Sequence, residues 1–171
     1  MLDAEAAAHR GKAGLARWMT EAEARWKEHG VSDMTLVGRW NYHNELGAQF
    51  PFAPIRIVYA KSGTLPVAAV VEDSRAVIDH MLYWATVADR REGLYLASIL
   101  GSETARKKVE TLQARGQWGA RHFDKVMFTL PIPRFHADTQ LHTDLAATGA
   151  EAEAVAAKVD LPDGIYFTTV R

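Results

Sequence analysis

The chain predicts an α+β fold, a small antiparallel or mixed sheet packed with several helices. Three observations point to it. Apolar residues recur at helical spacing before position 50, β-branched period-two runs fill 55–87, and helical spacing returns after 89. With 171 residues, 48% of them hydrophobic, the expectation is a single domain around one core. Its parts would be a helical stretch over 1–50, a β-meander over 55–87, and helices with a loop over 89–159.

Residues 3–29 read as helix. Leu15, Trp18, Met19, Ala22 and Trp26 form one apolar stripe, Gly30 is placed as the C-terminal cap, and Gly11 and Gly14 weaken the first turns. Ser32 or Asp33 is expected to cap a second helix carrying Leu36, Trp40, His43 and Leu46, ended by Gly47. The tryptophans sit on the periodic faces and are therefore expected in the core.

Pro51 and Pro54 close that region. Ile55 to Lys61 and Pro66 to Glu72 have strand composition around a Ser62-Gly63-Thr64 turn, and Ala76 to Val87 is expected as a third strand. Short turns between consecutive strands predict an antiparallel meander.

Asp89 can cap a helix holding Leu94 to Leu100. Ser102 can cap the next, which buries Ala105, Val109 and Leu112. Gly116 to Gly119 turns the chain into a helix over 120–128. Leu130-Pro131-Ile132-Pro133 must be extended, because proline fixes its own φ and restricts the residue before it. From Thr139 to Val159 an Ala- and Glu-rich helix is expected to pack through Leu141, Leu145, Ala152 and Val155. The apolar ending at Ile165 to Arg171 suggests a domain cut from a longer protein.

Net charge is −1, but it is unevenly spread. Residues 90–125 carry eight basic and four acidic side chains (+4), whereas 135–171 carry two and six (−4). A cationic segment is the electrostatic footprint that a polyanion requires; a solvated helix face is the plainer alternative. The absence of cysteine excludes disulfides and thiolate metal sites and fits a reducing cytoplasm. No apolar run approaches the ~20 residues that span a bilayer, so no membrane partner is expected.

Catalytic signatures are missing: no Gly-rich phosphate loop, His-Glu-x-x-His or Gly-x-Ser-x-Gly occurs. His136 and His142 each precede an aspartate by two residues, a spacing that faces different sides of a helix, so no metal site is expected. Asp79-His80, placed within the third strand, would point its side chains to opposite faces. His122 with Asp124, beside Arg121, is the one cluster that supports a catalytic hypothesis; a polar helix start next to a loop is the structural alternative.

Tyr95-Leu96-Ala97-Ser98-Ile99-Leu100-Gly101-Ser102 looks like the leucine-asparagine-serine helix end of DNA target-recognition domains, with Gly101 where asparagine is usual. A basic helix, a glycine turn and Leu130-Pro131-Ile132-Pro133 follow in that family's order. Ile57 to Gly63 and Val77 to Trp84 fit upstream. Over roughly Leu15 to Val159 the chain resembles the C-terminal specificity region of adenine-specific DNA methyltransferases of restriction-modification and phage-defence systems. It is similar to the TaqI-like specificity domain and, more distantly, to type I specificity subunits. The family's catalytic Asn/Asp-Pro-Pro-aromatic motif and S-adenosylmethionine loop are absent, and no two prolines are adjacent.

The resemblance therefore implies a module that binds duplex DNA beside a catalytic methyltransferase domain, with no cofactor and no catalytic residue on this chain. Under that reading Arg106, Lys107, Lys108, Arg115, Arg121 and Lys125 contact phosphates, and Gln117 suits adenine. Arg115 or Arg121 suits guanine. Trp118 wedges or stacks, or is buried against the sheet. Lys61 and Ser62 reach a second backbone segment, and His122 joins the same surface. A protein–protein interaction module is the alternative function.

Overall fold

The computed structural model describes residues 3–63, 66–113, 115–116, 119–120 and 122–160, with the backbone alone at 115–116, 119–120, 124–125 and 128. It divides into two compact units, Met1–Phe52 and Ala53–Arg171. The division falls between Pro51 and Pro54, where the periodicity of the sequence also changes.

In the N-terminal unit the long helix expected over 3–29 is two. Helix α1 (Ala4–His9) is capped by Asp3, whose Oδ1 accepts from the Ala6 amide at 2.7 Å, and α2 spans Ala13–His29. The break is Gly11 at φ +69°, a left-handed conformation open to glycine at little cost. Gly30 does not close α2 in that conformation; it is extended. Helix α3 (Leu36–Trp40) is capped by Thr35 rather than Ser32 or Asp33, and lasts five residues. His43 and Asn44 then adopt positive φ, and the Asn41 side chain accepts from the Gly47 amide at 2.7 Å, folding the chain into short 3-10 turns. Of the expected stripe on α2, Met19 is buried but Trp18 is 53% exposed. Trp18 stacks on Trp40, itself 40% exposed, with ring centroids 5.8 Å apart.

The second unit is α+β. Strands β1 (Arg56–Ala60), β2 (Ala68–Val71) and β3 (Leu82–Thr86) form an antiparallel sheet in the order β2-β1-β3. This corrects the expected meander. Strand β1 is central, with Val58 opposite both Ala69 and Trp84, and residues 72–81 carry the chain from one edge to the other. The reason lies in β1 itself, whose residues Arg56 to Tyr59 are buried on both faces. Ile57 and Tyr59 belong to the main core cluster. On the opposite face Arg56 donates from Nη2 to the Asp73 and Ala76 carbonyls at 2.9 Å each, drawing the 72–81 connection across it. Residues 76–81, expected as strand, are spent on that crossing.

Helix α4 (Arg90–Leu100) begins as the sequence predicts. Asp89 accepts from the Glu92 amide, satisfying a helix-start donor, and the Glu92 carboxylate accepts from the Ala88 amide just before the cap. Helix α5 (Glu103–Glu110) is capped by Ser102 and buries Ala105 and Val109, whereas Leu112, expected in the core, is 58% exposed. Helix α6 (Gln140–Ala156) lies against α4 through only one of the predicted residues, Leu145, which packs beside Leu94, Tyr95 and Ala146. Leu141 and Val155 are exposed and Ala152 with them; His142, Ala146 and Gly149 are buried. Small residues won this face because the helices approach closely: a Cβ at Gly149 would stand 2.5 Å from the Leu94 carbonyl oxygen. Ser98 Oγ donates to the Leu145 carbonyl at 2.6 Å, and Arg90 bridges Glu72 and Glu153.

Leu130 is extended, but the stretch expected to be extended throughout turns tightly at Pro131, where the Ile132 amide donates to the Leu130 carbonyl at 2.8 Å. Tyr95, 1% exposed on α4, donates its hydroxyl to the Pro133 carbonyl at 2.9 Å. Burial raises the Tyr95 hydroxyl above its ordinary pKa. The unfolded chain therefore ionises first, at about pH 10, and stability falls as pH climbs from there through the folded value. Tyr95→Phe should cost about 1 kcal/mol at neutral pH. It should also flatten part of the alkaline loss, which urea melts at neutral and alkaline pH would reveal.

Candidate nucleic-acid interface

Three predicted residues, Lys61, Ser62 and His122, meet at one end of the sheet. The Lys61 amide donates to the Met81 carbonyl at 3.0 Å, and the Lys61 carbonyl accepts from the Phe123 amide at 2.7 Å. Ser62 pairs with His122 in an isolated antiparallel bridge. Residues 61–62 are thus held between the start of β3 and the chain that leaves the basic segment. Phe123 anchors the junction: it is 1% exposed in the core cluster with Ile57, Tyr59, Val109 and Met127. Lys61 Nζ lies 5.0 Å above the Tyr83 ring, a cation–π contact that leaves the ammonium at the half-buried rim. His122 is exposed.

The glycine-flanked segment is a two-stranded ribbon, with β4 (Arg115–Gly116) and β5 (Gly119–Ala120) pairing Arg115 to Ala120 and Gly116 to Gly119. The helix expected over 120–128 is not formed. Residue 120 belongs to β5, residue 122 to the bridge with Ser62, and a 3-10 helix starts only at Asp124 and runs to Thr129. Extended backbone at the bridge excludes an earlier helical start; Phe123 and Met127 still reach the core. Gln117, Trp118 and Arg121 lie outside the described residues, and the side chains of Arg115 and Lys125 do also.

Helix α5 carries the other predicted cations, and here the electrostatics differ from the sequence picture. Glu103 receives Arg106 as a fork, Nε to Oε2 at 2.7 Å and Nη2 to Oε1 at 2.6 Å, while Nη1 stands 3.3 Å from Glu110. Lys107 Nζ lies 3.9 Å from Glu103. Hydrogen bonds from Arg106 hold the Glu103 carboxyl below the usual carboxylate range and raise the Arg106 guanidinium in turn. Arg106 is therefore already engaged by carboxylate in the free chain. The signal was in the sequence: carboxylates three residues before and four after an arginine share its helix face. Lys108 has no carboxylate partner among the described residues. It borders a cleft of about 110 Å³ together with Ile99, Leu130, Pro131 and Ile132.

Asp79-His80 also departs from expectation. Lying in the turn before β3 and not in a strand, the two side chains approach to 3.3 Å (Nδ1 to Oδ2). Asp79 Oδ1 accepts from the Met81 amide at 2.9 Å, and that bond is the main cause of its lowered carboxyl pKa. The surroundings of His142 were not legible in the sequence. His142 is buried on α6 against Tyr95, and its Nδ1 accepts from the His136 amide at 3.0 Å.

Among the described residues no three His, Asp or Glu side chains converge as metal ligands, and no helix is long and apolar enough to cross a membrane. No family model, curated protein or solved structure matches the chain.

Proposed function

We propose that residues 53–171 form a duplex DNA-recognition module, the specificity part of an adenine-specific methyltransferase whose catalytic domain belongs to the parent protein. The observation that carries the reading is the junction of Lys61 and Ser62 with His122, through the Ser62–His122 bridge and the Phe123–Lys61 hydrogen bond. It ties a lysine-bearing hairpin to the segment in which the positive charge of the chain concentrates. Lys61, Lys107 and Lys108 then position the backbone, and Gln117, Arg115 and Arg121 read base edges in the major groove. The target adenine is flipped toward the catalytic domain while this module holds the flanking duplex.

Anisotropy titration of the whole chain with a short labelled duplex tests this. Binding should be detectable at low salt and fall steeply as salt rises from about 50 to about 200 mM. Lys61→Ala with Lys108→Ala should weaken binding and flatten the salt dependence by about two charges. Gln117→Ala with Arg121→Ala should remove about 1–3 kcal/mol per lost bidentate contact on a cognate site. Absence of binding at low salt would overturn the reading.

A second reading, docking of a protein partner, attaches to residues 3–52, where Trp18 and Trp40 stack while exposed beside Leu15, which is 39% exposed. Partner binding indifferent to salt would favour it.

A further inference from the structure

Resting on the DNA reading above, we infer that Glu103 is an internal stand-in for phosphate: in the free protein it occupies the Arg106 fork, and a duplex phosphate replaces it on binding. The geometry matches that exchange. A guanidinium presents two parallel N–H groups that suit carboxylate and phosphate alike, and Glu103 takes both at 2.6 and 2.7 Å. Glu110 lies at 3.3 Å on the remaining side, and Lys107 is drawn to 3.9 Å from the same Glu103 carboxylate. Two cations of the predicted surface thus share one acidic partner. The Arg106 side chain is only 29% exposed while Glu103 is 54% exposed, so the carboxylate is the member open to displacement. The lowered carboxyl pKa of Glu103 agrees with an engaged fork.

The consequence is a threshold. Phosphate must outcompete a tethered carboxylate, which weakens indiscriminate binding and lets Arg106 engage only where other contacts already hold the duplex. Exposed ion pairs are weak, so the gate is modest.

The test uses the full chain as wild type, Glu103→Gln, Arg106→Ala and the double variant, titrated with a labelled duplex of mixed sequence across a salt series. Glu103→Gln should tighten low-salt binding about threefold to fivefold and leave the salt slope close to that of wild type, because the same phosphate contact forms in both. In the Arg106→Ala background that gain should vanish. Glu110→Gln, at the longer contact, should give a smaller gain, and it reads the same fork should Glu103→Gln fray the start of α5. Unchanged or weaker binding by both glutamine variants, with wild type still binding, overturns the exchange and leaves the DNA reading intact. A gain that persists without Arg106 also overturns it, because the carboxylate would then act by net charge alone. No binding by any of these five proteins removes the DNA reading and this inference together.

Discussion

Phe123→Ala should lower the stability of the second unit by about 3–5 kcal/mol, the usual cost of deleting a buried phenyl group from a packed core. Phe123 is 1% exposed and packs with Ile57, Tyr59, Val109 and Met127, drawing on β1, α5 and the 3-10 helix at once. Few residues there can move inward, because β1 is fixed by ladders on both edges. Urea unfolding gives the number, with Phe123→Leu as the milder comparison. A loss below about 1 kcal/mol would mean that the segment after the ribbon is not held as described. The substitution also reaches the proposed interface: the Phe123 amide bonds the Lys61 carbonyl, and the neighbouring His122 bridges Ser62. Under conditions where the variant stays folded, its duplex binding should fall together with that of Lys61→Ala.

Gly149→Leu should destabilise by about 1–3 kcal/mol or more, the range for forcing volume into a packed contact. Two effects oppose each other here, and their sizes decide the sign. Removing a glycine from a helix interior is worth up to about 1 kcal/mol in favour of the variant. Against it, the Cβ alone would lie 2.5 Å from the Leu94 carbonyl oxygen and 2.8 Å from Ser98 Oγ. The first obstacle is backbone of the neighbouring helix and cannot rotate away, so α4 and α6 must separate. Separation also breaks the Ser98 to Leu145 hydrogen bond. Gly14→Ala in α2 provides the contrast, since nothing lies within 4 Å of its Cβ position and the helix gain should appear uncancelled. Melting both variants beside wild type checks the opposite signs; equal shifts would refute the close approach at Gly149.

Reading local patterns succeeded where one segment contains its own cause. Asp89 and Ser102 cap α4 and α5 because a side-chain oxygen need only reach amides a few residues ahead. The prolines at 131 and 133 keep that stretch out of helix regardless of surroundings. The break at Gly11 lies where glycine weakened the pattern, although its completeness depended on a positive φ.

Elsewhere the partner decided. Alternation makes Leu82 to Thr86 a strand but does not say which edge of β1 it joins. That choice depends on Arg56 gathering carbonyls 17 and 20 residues away. On α6 Leu145 packs as read, but Leu141 and Val155 are exposed and the close approach of α4 is met by His142, Ala146 and Gly149. At the candidate interface, sequence alone determined that cations gather between 90 and 125 and that the chain is α+β. Only the tertiary structure brought Lys61 and Ser62 to His122, sixty residues apart in the chain, by a backbone bridge. Capping and chain stiffness act over a few bonds and are written locally; edge choice, helix approach and strand bridging depend on surfaces that exist only once distant segments have met.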